Sequence, residues 1–168
     1  MSSSTTLDGE QLLTELLAAT GAQRATLRLD VAGMDFPVVA EALEAGVPTI
    51  RDDTSVDQRG AATAQWIMRT REVLVQSDIA LVDPPPPPEL VAAYGVRAQM
   101  LGPVVADGEV VGWISVHSTS ARAWSGDHVA ALERAAGLVA RHLPELHPAG
   151  AAGGAGERKE AELANGDQ

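Results

Sequence analysis

Apolar and polar positions divide the chain into segments of clear period. Leu12, Leu13, Leu16 and Leu17 recur at helical spacing. Asp8 is placed to cap that helix, Gln11 stands three residues on as in a capping box, and Leu7 is placed to staple onto Leu12. Gly21 supplies the stop. From Arg24 to Asp30 the period drops to two, with Ala25, Leu27 and Leu29 on one face and Arg24, Thr26 and Arg28 on the other, which predicts a half-buried strand. Phe36 to Ala40 reads as a second strand, and Asp57 to Arg71 as a helix with Ala64, Ile67 and Met68 facing inward. Val73 to Val75 is short and β-branched, as a strand would be.

Pro84 to Pro88 cannot donate ladder hydrogen bonds and must run extended. Without flanking basic residues it suits a rigid loop over a pocket better than a docking peptide. Glu89 to Tyr94 reads as a short helix ended by Gly95. Asp107-Gly108 between two Val-Val pairs is a favoured two-residue turn and predicts a hairpin of residues 97–106 and 109–118. A last helix opens at Ser125, with Trp124 available to staple onto Val129, and closes at Pro144. Its apolar residues Val129, Leu132, Ala136, Val139 and Leu143 step by three and four. That seam serves either pairing with a helix of a second chain or packing on a sheet. The order of elements is that of an α+β fold on an antiparallel sheet.

Composition narrows the functions. The chain has 168 residues, the size of one domain, with 12 Lys and Arg against 23 Asp and Glu for a net charge of -11. Such a balance argues against nucleic acid and anionic membranes as partners. Cysteine is absent, which removes disulfides, thiolate metal sites and thiol nucleophiles. No apolar run reaches the roughly 18 residues of a membrane span, and Met1 to Thr6 lacks the pattern of an export signal, so a cytoplasmic location is expected. Residues 1–6 and the Ala/Gly/Glu tail 148–168 are expected to be disordered, flanking one domain over 7–147.

The stretch from Tyr94 to Leu143 resembles a GAF domain. Arg97, Gly102-Pro103-Val104, Gly108, the strand Gly112-Trp113-Ile114-Ser115-Val116-His117, then Trp124, Ser125, Asp127 and Leu132 fall in the order of that family's motifs, with the Asp one place early. Residues 8–30 are also similar, and 31–90 match loosely. The resemblance implies a central antiparallel sheet, terminal helices on one face and a small-molecule pocket on the other. It also implies dimerisation through the first and last helices. His117 stands where phytochromes, a branch of the superfamily, keep a histidine that touches their chromophore, but their attachment Cys is missing here. The cysteines of free methionine sulfoxide reductases and the signature of cyclic-nucleotide-binding members are likewise missing.

Strand parity places Trp113, Ser115 and His117 on one face and Ile114 and Val116 on the other. If the Asp-Gly turn fixes the register, Gln99 and Leu101 join the first set. The mixed aromatic and polar face suits a pocket, so the candidate ligand-binding residues are Gln99, Leu101, Trp113, Ser115 and His117, with Tyr94 and Arg97 near the rim. No cofactor is expected; His117 alone would serve a haem, and neither haem nor bilin is expected. Asp52, Asp53 and Asp57 with Ser55 read as caps of the following helix rather than a cation site, and His128 and His142 lack partners at metal-ligand spacing.

The main functional reading is a regulatory sensor module, not an enzyme, that binds a small molecule and acts as a homodimer or on a separate output protein. The alternative is a structural assembly subunit with an empty pocket. A third reading is a cofactor-independent lyase or isomerase with His117 as general base. A cavity of several hundred Å³ favours binding over assembly, and a carboxylate orienting His117 favours catalysis.

Overall fold

The computed structural model describes residues 6–80 and 82–146. The expected disordered segments 1–6 and 148–168 lie, Thr6 apart, outside the described residues. Asp8 caps α1 (Gly9–Thr20) by accepting from the backbone N–H of Glu10 and Gln11, and Gly21 ends it at φ 73°. The capping box does not form, because Gln11 turns along the helix to donate to Glu15 at 2.9 Å. Leu13 and Leu16 are buried, while Leu7, Leu12 and Leu17 pack at the edge of the same core.

Five antiparallel strands follow in the spatial order β2-β1-β5-β4-β3: β1 (Arg24–Leu29), β2 (Val38–Leu43), β3 (Leu74–Gln76), β4 (Ala98–Ala106) and β5 (Glu109–Ser118). The second strand starts two residues later than predicted, since Phe36 sits at φ 48° and Pro37 follows it. β1 is not half buried. All six of its residues are buried, because it lies between β2 and β5 with structure covering both faces.

On one face lie α1 and α4 (Gly126–Arg141), closing a core of Leu13, Leu16, Leu27, Ile114, Val116, Leu132 and Val139. The seam of α4 belongs to that core: Leu132 and Val139 are fully buried against the sheet, so they are not a surface for another chain. Ser125 caps α4 in a capping box completed by His128, whose Nδ1 accepts from the Ser125 backbone N–H. The helix stops at Arg141 and the chain continues through Pro144 into a short α5 (Leu143–Leu146), which seats Leu146 on the core.

On the other face α2 (Ala62–Thr70) buries Ala64 and Ile67 against Phe36, Leu74, Leu101 and Trp113. It begins five residues later than predicted. Asp57 spends its carboxylate on the backbone N–H of Gly60, Asp53 accepts from Ser55, and the N-cap Ala61 makes no side-chain bond. The acidic group therefore shapes the loop before α2 and does not cap the helix. No metal-binding cluster occurs among the described residues. After β3 the proline segment leads to α3 (Pro88–Ala92), which buries none of its side chains.

Candidate ligand pocket

The face of the sheet under α2, α3 and the connecting loops is built from three cross-strand rows. In the first, Arg24, His117, Gln99 and Gln76 stand opposite one another across β1, β5, β4 and β3. Thr26, Ser115, Leu101 and Leu74 form the second, and Arg28 pairs with Trp113 in the third. Residues directly opposite point to the same face, so one surface collects two guanidiniums, an imidazole, two amides and two hydroxyls.

That alignment depends on an irregularity invisible to a simple turn rule. From Asp107 (φ 54°) and Gly108 (φ 80°) the ladder starts with Ala106 opposite Glu109 and Val105 opposite Val110. An unbroken two-residue hairpin would then set Gln99 opposite Val116, facing the helices. A β-bulge intervenes, Val104 meets Gly112, and Gln99 comes opposite His117. Gly112 makes this possible: a Cβ there would lie 2.1 Å from the backbone oxygen of Arg28.

Tyr94, Gln99, Leu101, Trp113, Ser115 and His117 line one cavity, together with Arg28 from β1 and Val56, Thr63, Ala64 and Leu90 from the roof. Arg97 stands apart, its half-exposed guanidinium 3.3 Å from Asp78. The enclosed volume is about 30 Å³, room for a water but not for the several hundred Å³ expected of a formed site.

The polar rows hold the roof. Arg24 donates to the Pro48 carbonyl at 2.8 Å and from Nη1 to His117 Nδ1 at 3.3 Å, with its guanidinium 5.5 Å from the Tyr94 ring. Gln99 donates to Gln76 Oε1 at 2.8 Å, and Gln76 in turn donates to the Pro84 carbonyl at 2.7 Å. Each end of the first row is thus tied to a different roof loop. Phe36 stacks on Trp113 at 4.7 Å, and Arg28 donates to the Phe36 carbonyl at 2.8 Å.

Burial, then the charges of Arg24 and Arg28, push the His117 pKa down to about 3. The ring is neutral at physiological pH. A guanidinium cannot accept, so His117 Nδ1 must, which leaves the proton on Nε2. No carboxylate orients the ring among the described residues. A general base at neutral pH needs a far higher pKa, so this geometry does not supply the feature that would have favoured catalysis. Two buried atoms, Arg24 Nε and Thr26 Oγ1, have no hydrogen-bond partner. Arg24, Thr26 and Arg28 were missed in the sequence because a β1 segment read alone turns its polar side to solvent. Only its central place beside β5 buries that side, which brings Arg28 into the cavity wall and leaves Arg24 and Thr26 on the same face outside the lining.

A search of curated proteins finds no match. Among solved structures, the blue-light-absorbing form of the Thermosynechococcus elongatus PixJ GAF domain is similar at TM-score 0.67 and 20% identity, over 93% of this chain and 90% of that one. The chromophore-binding domain of the unusual bacteriophytochrome RpBphP3 from R. palustris gives TM-score 0.67 and 20% identity, covering 82% of this chain and 53% of that one. That of a Stigmatella aurantiaca phytochrome gives 0.65 and 20%, covering 80% and 52%. The chain spans about half the length of these two phytochrome domains. These neighbours overturn the expectation of no cofactor, with haem and bilin set aside: the fold shared here is one solved repeatedly as a chromophore-binding domain. The missing Cys argues against a thioether link, not against a chromophore held without one. A GAF domain model matches residues 10–143, and the chain belongs to the GAF domain family.

Proposed function

We propose that this chain is a sensory module that binds a small molecule, of the chromophore class or another, between the sheet and its roof. The observation that carries the reading is the pair of orphaned atoms, Arg24 Nε and Thr26 Oγ1, on the polar sheet face that also bears the cavity's Arg28, Ser115 and His117. A buried donor or acceptor without a partner costs on the order of 1–3 kcal/mol, and a core shaped only for assembly would lose nothing by replacing Thr26 with Val. The volume of about 30 Å³ is by itself what the assembly alternative expects; on the binding reading it is that of a closed form. Admission of a ligand then needs the roof to move, and α3, with no buried side chain, is the part least held.

Occupancy would be transmitted through the sheet to α1 and α4, and from them to a second copy or a separate output protein. Since the α4 seam is consumed by the sheet, self-association is assigned to the outward groove between the two helices, lined by Leu12, Ala19, Ala131 and Leu138. The test of the binding reading is thermal-shift screening against a metabolite and tetrapyrrole panel, followed by titration of parent and His117→Ala. The expected result is a stabilising ligand whose affinity falls about 5- to 150-fold in the variant. A ligand bound equally well by His117→Ala would take the site away from this face.

A further inference from the structure

Arg28 is a buried cation that no carboxylate meets. It is 8% exposed, its one hydrogen bond goes to the Phe36 carbonyl, and no carboxylate oxygen among the described residues lies within 4 Å of it. The carboxylates that act on it through space are engaged elsewhere. Asp35 accepts from the backbone of Gln58 and Arg59, Glu41 from Ile50 and Thr49, and Asp53 from Ser55. Burial outweighs all three and lowers the Arg28 pKa to about 10, which still leaves it charged at neutral pH. Buried charges in proteins are paired, and a guanidinium pairs with planar or tetrahedral oxyanions through two parallel N–H donors.

The rest of the wall is rich in donors at its other end. His117 carries its free proton on Nε2, and Tyr94 and Ser115 bring hydroxyls. His117 stands opposite Arg24 and Trp113 opposite Arg28, positions four residues apart on β1 and roughly 13 Å along the strand, so the cavity wall is elongated. Leu101, in the row between them, is apolar, and Ala64, Leu90 and Val56 add apolar lining.

Resting on the binding reading above, we propose that the ligand is an organic oxyanion, a carboxylate or phosphate monoester on an apolar body. Its anionic group sits on the Arg28 guanidinium beside Trp113, and an acceptor toward its far end takes the proton of His117 Nε2. The pocket thus selects a negative ligand inside a chain whose net charge is -11. The apolar part of the lining, Val56, Ala64, Leu90 and Leu101, supplies affinity for the body of such a ligand that a small inorganic anion lacks.

The experiment uses the full chain and matched fragments: a library of aromatic and aliphatic carboxylates, their primary amides, and aryl phosphates, screened by protein-observed NMR with assigned Trp113 and Gln99 side-chain signals. Acids or phosphates should perturb these signals and the amides should not; which of the two oxyanions binds identifies the source. Arg28→Met should weaken those binders on the order of 10- to 100-fold. It should also keep a thermal midpoint at least as high as the parent's, because an unpaired buried charge is replaced by a side chain of similar length. Amides binding as well as acids would overturn the oxyanion while leaving the binding reading intact. No fragment touching these signals would sink both. An Arg28→Met midpoint more than about 5 °C below the parent's would show that Arg28 is there to hold the Phe36 loop, and would also overturn the proposal.

Discussion

His117 decides most at the scale of single residues. Its pKa falls from about 6.5 in an unfolded chain to about 3 in the fold. Between those values the unfolded state binds more protons, so the contribution of His117 to stability is complete above pH 6.5 and declines as pH falls toward 3. At pH 5 the loss is about 2 kcal/mol. Thermal midpoints measured from pH 7.5 to 4.5 should therefore fall more steeply for the parent than for His117→Gln. Parallel curves would mean that His117 titrates in the fold as it does in the unfolded chain and that its buried contact with Arg24 is misplaced. Its neighbour Val116 points to the helix core, fully buried, and Val116→Ala should cost about 1.5–3 kcal/mol in denaturant unfolding while leaving ligand affinity unchanged. Parity within β5 was readable from the sequence alone, so the alternation of Trp113, Ser115 and His117 with Ile114 and Val116 appeared as it is. The partners of that face on β1 were not, since local alternation says which residues share a side but not what covers it.

Among elements, those with strong local chemistry were legible. The α1 cap and stop, the Asp107-Gly108 turn and the Ser125 cap each act within a few residues, and the structure has all of them. Starts set by tertiary contacts were not: β2 begins late because Phe36 turns at φ 48° to pack on Trp113, and α2 because Asp35 accepts from the backbone N–H of Gln58 and Arg59. The bulge at Val104 and Val105 is the clearest case, since it reverses the face of Gln99 relative to a plain hairpin. Gly112 fits where no side chain can, so Gly112→Ala should lose several kcal/mol or fail to fold, read by circular dichroism and urea melts. A stable Gly112→Ala variant would mean that the bulge is not where it stands. In α4, Val139→Glu buries a charge in the core and should unfold the chain, whereas Leu138→Glu on the outward groove should keep the fold and lower self-association in sedimentation. A Leu138→Glu chain that associates like the parent would remove α1 and α4 from the dimer proposal.

Over the whole molecule the sheet separates two kinds of interior. The helix side is aliphatic and complete. The roof side combines the smaller apolar cluster around Trp113 with charged and polar side chains, some of them unpartnered. Binding at the roof should order α3 and its approach, so hydrogen exchange across residues 84–95 should slow most in the presence of ligand, with a smaller change reaching α1 and α4. Linkage predicts that a ligand at a hundred times its dissociation constant stabilises the chain by about 2.7 kcal/mol, several degrees in thermal midpoint. The central claim, that the roofed sheet face is a ligand site, is tested most directly by native mass spectrometry of the chain purified from its own host, beside His117→Ala prepared in the same way. The account predicts a small molecule bound at one per chain in the parent and depleted in the variant. A bare parent chain, or equal occupancy in both, would contradict it.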